Sequence, residues 1–414
     1  MKPFILILFS LFFLKTQAQV VQGLSAWISF DKPNCEISDE FGDPTVQVFR
    51  NGTSCDCGVK GSALRLNGNN EWFLLFGSKV ENVFTTIDFS LSFYFKPVSG
   101  SSTTSQSLFT KRLDCSPENV FAIRYTPSSR LLHVELAESG AVNGSISRTL
   151  PVSCWYHIVV VRRGPTTILY VNAREVGRTN APNNQRVNLA NNEVLTVGSS
   201  DCIDTEDFNG LIDEIRLYNR ALTRENVEDL YLLPDQIATG LKPTGVNDTT
   251  IYLGNSVQIN LAGTCATGFN WSPTAGVSDP SSPTPLITPV TTTTYALSLS
   301  DQFPCVATDS IRITVVDPAT VECSEILLPS AFTPNDDGLN DRFGISNPFV
   351  AGEVLAFQIY DRWGNIVFET SNPLEKWDGN YRGQPVNPGV FLYRIRFRCQ
   401  GVEDAISGSV TVIR

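Results

Sequence analysis

The sequence predicts an all-β protein of three consecutive β-sandwich domains. Three observations predict it: a composition poor in charge and rich in turn formers, apolar residues alternating at period two, and an even set of cysteines behind an export signal. Of 414 residues, 42% are hydrophobic and only 18% charged, with 29 Gly and 24 Pro. That apolar fraction supplies folded cores, and the turn formers suit short strands joined by tight connections. The length suggests two to four domains.

The N-terminus sets the compartment. Lys2 precedes an apolar run at residues 4–14, and Thr16 and Ala18 are small residues at the −3 and −1 positions for cleavage before Gln19. This pattern reads as a secretory signal peptide over 1–18, too short to span a bilayer. No other segment is apolar enough for a transmembrane helix. Ten Cys in an exported chain read as disulfides. Six of them, Cys35, Cys55, Cys57, Cys115, Cys154 and Cys202, precede residue 236, then come two pairs. Each group is even, so each domain is expected to close its own bridges: Cys265 with Cys305, Cys323 with Cys399, and the first six among themselves.

In residues 19–236, alternating runs at 63–66, 89–95, 131–136, 157–162, 167–171 and 212–217 predict strands. Turn residues such as Asn67-Gly68-Asn69-Asn70 separate them. One short helix is expected near the end: Thr223 caps it, Glu225 faces the positive end of its dipole, Val227, Leu230 and Tyr231 form its apolar stripe, and Pro234 ends it. In residues 240–317, alternation at 257–261 and 311–315 predicts a smaller sandwich. The Pro/Thr-rich stretch between them is assigned to that sandwich rather than to a linker, because strands flank it and two cysteines bracket it. Trp271 is its expected core residue. Residues 323–414 carry Phe332-Thr-Pro-Asn-Asp-Asp-Gly-Leu-Asn-Asp341, Asp361-Arg-Trp-Gly364, Trp377-Asp-Gly379 and Pro388-Gly-Val-Phe-Leu-Tyr-Arg394.

These three regions resemble known families. Leu24 to Asp31, Gly61 to Gly68, Trp155 to Arg162 and above all Phe208 to Leu222 resemble the laminin G-like, concanavalin A-like jelly rolls. That resemblance implies a two-sheet sandwich that binds glycans or proteins and often holds calcium. Residues 240–317 resemble the PKD/Ig-like repeats of bacterial adhesins. Residues 323–414 resemble the gliding-motility-associated, type-B sorting domain of type IX secretion. This implies a Gram-negative cell, passage through the periplasm, and a translocon with an outer-membrane accessory protein as partners. The residues carrying the sorting resemblance are Pro334, Asn335, Asp337, Gly338, Asn340, Asp341, Asp361, Arg362, Trp363, Gly364, Trp377, Asp378, Gly379, Gly389 and Tyr393.

The formal net charge is −11, so nucleic acid is excluded as a partner by the sign of the field. No cofactor is expected beyond structural calcium. Asn335, Asp337 and Asp341 occupy the first, third and seventh places of an oxygen-rich loop, the donor chemistry calcium prefers. Asp31 and Asp213 are a second candidate pair, against the plainer reading that Asp213 and Glu214 pair with Arg216 or backbone. The run 201–207 reads as a solvated acidic loop, with metal binding as the alternative. Trp72 and Tyr94 are the candidate ligand aromatics, Trp72 against core packing. No Glu-x-Asp-x-x-Glu strand is present for paired-carboxylate hydrolysis. His133 and His157, the chain's two histidines, both read as structural. The expected function is a secreted or cell-surface adhesin with a glycan or matrix ligand. The alternative is a structural component of the cell surface or gliding apparatus, its partner a surface protein. A glycoside hydrolase is a distant third.

Overall fold

The computed structural model describes residues 21–98, 100–238, 247–302, 305–317, 320, 326–335 and 340–413. Residues 1–18, expected to be a signal peptide, therefore lie outside the described residues. The first sandwich packs two sheets face to face. One runs in the order Arg174–Asn180, Thr166–Val171, Tyr156–Arg163, Phe89–Pro97, Asn209–Tyr218, Ser62–Asn67, Ser54–Cys57, with Leu24–Ile28 also paired to Asn209–Tyr218. The other runs Ile146–Thr149, Leu131–Ala137, Val120–Thr126, Ser105–Lys111, Leu195–Val197, Trp72–Phe76, Gln47–Asn51. Alternation fills the space between them: Leu91, Phe93 and Phe95 of the first sheet meet Phe73, Phe109 and Phe121 of the second.

The strand Phe89–Pro97 is buried on both faces, because the segment after Tyr218 folds back over its outer side. Tyr94 donates to Leu230 O (2.9 Å) and accepts from Leu232 N (2.7 Å), while Ser90 donates to Arg220 O (2.9 Å). The expected helix forms at Arg224–Asp229 with Thr223 in a capping box with Asn226. A second helix, Ser78–Thr85, was not expected; Val80, Val83 and Phe84 share its buried face at spacings of three and four.

The second sandwich has the sheet Asn247–Tyr252, Val306–Val316, Thr293–Ser300, Gly268–Ser272, with Val257–Gln258 paired to Leu286–Ile287. Trp271 is fully buried and donates from Nε1 to Ser282 O (3.0 Å). The Pro/Thr-rich stretch belongs to this core, since Ile287 is buried in it. The last unit is the sheet Ala331–Phe332, Val402–Val412, Gly389–Cys399, Glu353–Tyr360, Ile366–Thr370 over Phe332, Phe343 and Trp377.

The disulfides correct the sequence expectation. Cys265 and Cys305 do not pair with each other: Cys57 bonds Cys265 and Cys154 bonds Cys305, so two bridges cross between the first and second sandwiches. Cys35–Cys55 and Cys115–Cys202 close within the first. Counting parity within each domain treats the domains as independent, and here they are not. Backbone pairing joins the two sandwiches, with Asp235 N donating to Gly263 O (3.1 Å) and Ala238 N to Asn260 O (2.8 Å). Lys96 forms a buried ion pair with Asp301 across the same junction. Cys399 is disulfide-bonded, and its expected partner Cys323 lies outside the described residues.

Candidate functional site

The turn 67–71 presents Trp72. Asn67 N and Nδ2 donate to the Glu71 carboxylate (2.7 and 2.8 Å), and Asn69 N donates to Asn67 Oδ1 (2.8 Å). Gly68 has φ +77°, and a Cβ there would come within 2.9 Å of Asn209 Cβ, so the turn requires glycine. Asn70 N donates to Asp207 Oδ2 (2.7 Å). Trp72 follows, half-buried, its Nε1 donating to Asn70 Oδ1 (3.2 Å) and its ring 5.9 Å from the exposed Phe49.

Trp72 stands at a cavity of about 370 Å³ on the outer side of the second sheet. This lies within the ~300–1,000 Å³ of small-ligand sites. Leu74, Thr196 and Thr110 are register partners on three adjacent strands and form its floor. Arg112, Asp114, Glu193, Ser199, Ser200 and Asp201 complete the lining with Asn70 and Val194. The Cys115–Cys202 bridge ties together the two loops that carry Asp114 and Asp201. Each carboxylate is one residue from a bridged cysteine, so the crosslink fixes both on one rim.

Arg112 is the electrostatic centre. Its side chain is 7% exposed, with Nη1 3.8 Å from Glu135 Oε2, and its Nε has no hydrogen-bond partner. Burial pulls the guanidinium below its usual basicity, and Glu135 works against that. The acidic run expected as a solvated loop has structural duties as well. Asp207 accepts from Asn70 N and Ser199 Oγ, Asp204 sits 3.6 Å from Arg124 Nη1, and Thr205–Asp207 adds a parallel strand to Ser105–Lys111.

The other candidates fall elsewhere. Asp31 and Asp213 grip opposite ends of the turn 58–62. Asp31 Oδ1 accepts from Ser62 N (2.9 Å), and Asp213 Oδ2 accepts from Val59 N (2.8 Å). Glu214 pairs with Arg216 and accepts from Trp27 Nε1 (3.0 Å), as the plainer reading held. Among the described residues no group of three or more His, Cys, Asp or Glu side chains is arranged to hold a metal. At Asp31 and Asp213 carboxylate oxygens are turned to backbone amides of one turn. Asp337 and Gly338 lie outside the described residues; nearby, Asn335 N donates to Asp341 Oδ1 (3.1 Å) and Asn340 takes φ +55°. His157 is buried between Tyr94 (4.5 Å) and Tyr231 (5.8 Å), and burial together with Arg216 lowers its pKa to about 3.

The sorting-motif residues divide into two sets. Trp377 and Tyr393 pack in the core, and Gly379, at φ +75°, brings its turn against Pro334. Asp378 fixes that turn by accepting from Asn380 N (2.9 Å). Asp361 builds the other turn, accepting from Trp363 N (2.8 Å) and Asn365 N (2.9 Å), with Gly364 at φ +83°. That turn projects Trp363, which is 83% exposed, beside a groove of about 470 Å³ shared with Arg362 and Gly389.

Two family models match this chain. Residues 67–228 match the concanavalin A-like lectin/glucanases superfamily, and residues 326–412 match the CHU_C type IX secretion signal domain. The signal domain directs the chain to the cell surface or out of the cell. No curated protein matches the chain. Among solved structures it is similar to domain 4 of AbnA, a GH43 extracellular arabinanase from Geobacillus stearothermophilus in complex with arabinotriose. The identity is 22%, with 50% of this chain and 98% of that chain covered and a TM-score of 0.37. It is also similar to the binding domain of Paraclostridial Mosquitocidal Protein 1 (14% identity, 94% and 89% covered, TM-score 0.43). A third is the botulinum neurotoxin serotype C1 binding domain (10% identity, 95% of each chain, TM-score 0.43). These likenesses concern the fold alone.

Proposed function

We propose that this chain, which carries a concanavalin A-like domain and a type IX secretion signal domain, is an exported glycan-binding protein whose jelly roll takes sugar in the Trp72 cavity. One observation carries the reading: a half-exposed indole stands over a lining that mixes hydrogen-bond donors and acceptors. A sugar ring offers an apolar C–H face to the indole and hydroxyls that both donate and accept. The second sandwich, taken as a PKD/Ig-like domain at 240–317, holds the jelly roll rigidly through its two crossing bridges. The domain at 323–414 serves the translocon and an outer-membrane accessory protein, in a Gram-negative cell.

The reading is one of binding rather than catalysis, and binding with no reducing ends released accords with it. The test is calorimetric titration of the mature chain against a polysaccharide panel, beside Trp72→Ala. Saturable binding that falls about tenfold or more in the variant supports the reading, a loss on the scale of one stacking aromatic. Unchanged affinity in the variant sinks it. A second reading, a surface-assembly component, draws on the exposed Trp363 groove; co-purification of surface proteins through that groove, without glycan binding, would favour it.

A further inference from the structure

We propose that the ligand of the Trp72 cavity is a neutral glycan, and that uronic or sulfated glycans are rejected. Arg112 donates to an uncharged sugar oxygen, while Asp114, Asp201 and Glu193 accept from sugar hydroxyls. This inference rests on the reading that the cavity binds sugar, and it goes further by naming the class.

Three observations carry it. The first is the charge of the lining: three carboxylates, Asp114, Asp201 and Glu193, share it with one guanidinium, Arg112. That guanidinium already faces Glu135, which is also paired to Arg124. An anionic sugar entering here would meet an excess of like charge.

The second is the state of Arg112. Its side chain is nine-tenths buried, and Nε lacks an acceptor. A sugar hydroxyl or ring oxygen can accept from the part of the guanidinium that lines the cavity without bringing charge. The same hydroxyl can donate onward to a carboxylate, which accepts but cannot donate when ionised. A neutral polyol is thus the chemistry that satisfies both halves of the lining at once.

The third is rigidity. The Cys115–Cys202 bridge holds the Asp114 and Asp201 loops together, and Asp207 anchors the Trp72 turn through Asn70. The backbone that carries Asp114 and Asp201 is therefore held at the cavity rim.

The experiment compares matched ligands on the mature full chain. Oligogalacturonate and its methyl ester share one backbone and differ in charge. Neutral cello-, xylo- and arabino-oligosaccharides and a sulfated glycan complete the set. The expected result is binding to at least one neutral ligand about tenfold or more tighter than to any acidic one. Asp201→Asn and Asp114→Asn should narrow that gap by admitting acidic ligands. Both positions lie on loops rather than in the core, and melting curves will confirm that the variants fold. Arg112→Gln should weaken the neutral ligand. Equal or tighter binding of an acidic glycan overturns this inference and leaves the glycan reading standing. Binding of neither class overturns the glycan reading itself.

Discussion

Acidification should load a proton onto His157 only when the fold opens. The ring is fully buried between Tyr94 and Tyr231, and Nε2 lies 2.9 Å from Ser92 Oγ. Burial first, and the nearby Arg216 second, depress its pKa from 6.5 to about 3. Between those values the unfolded chain binds a proton that the folded chain does not. Stability therefore rises with pH in that window and falls as pH drops through it. Integrating the two titrations from pH 7.5 to 5 gives a loss of about 2 kcal/mol from this one ring, and about 3 kcal/mol by pH 4. The assay is urea denaturation of the mature chain and of His157→Gln at both pH values. Glutamine keeps a partner for Ser92 and cannot titrate. The parent should lose about 2 kcal/mol more than the variant between pH 7.5 and 5. His133 is common to both proteins and cancels in the difference. Parallel losses would refute the buried, neutral imidazole.

Other consequences are equally concrete. Asp301→Asn removes the ion-pair partner of buried Lys96 at the junction of the first two sandwiches, leaving Asp235 and Asp56 as the carboxylates that act on it. It should cost about 3–5 kcal/mol in denaturation, and a loss below ~1 kcal/mol would show that the pair is solvated. Replacing Cys115 and Cys202 together by Ser frees the Asp114 and Asp201 loops. Stability should fall by about 2–4 kcal/mol and glycan affinity should fall with it; unchanged affinity would mean that the bridge does not organise the site. Deleting 323–414 should hold the protein inside the cell, which fractionation reads directly, and undiminished appearance outside would contradict the role of the signal domain.

Much of the fold is legible because alternation acts locally. Strands, the capped helix Arg224–Asp229 and the buried Trp271 and Trp377 follow from residues within a few positions of one another. The helix Ser78–Thr85 carried a readable signal in Val80, Val83 and Phe84, masked by its shortness amid turn residues. Disulfide pairing was not legible, because Cys57–Cys265 and Cys154–Cys305 depend on how one sandwich docks on another. Of the candidate site, Trp72 was visible behind its Asn/Gly turn. Arg112, Asp114, Glu193 and Asp201 were not. They come from separate strands and loops, and only the order of the sheet and the Cys115–Cys202 bridge bring them to one cavity.

Hydrogen exchange of the mature chain with and without a bound neutral oligosaccharide tests the central claim most directly. The account predicts new protection in 67–76, 110–116 and 193–202, the segments that line the Trp72 cavity, with the signal domain unchanged. Protection at 361–367 and 384–391, around Trp363, with none at Trp72, would contradict it.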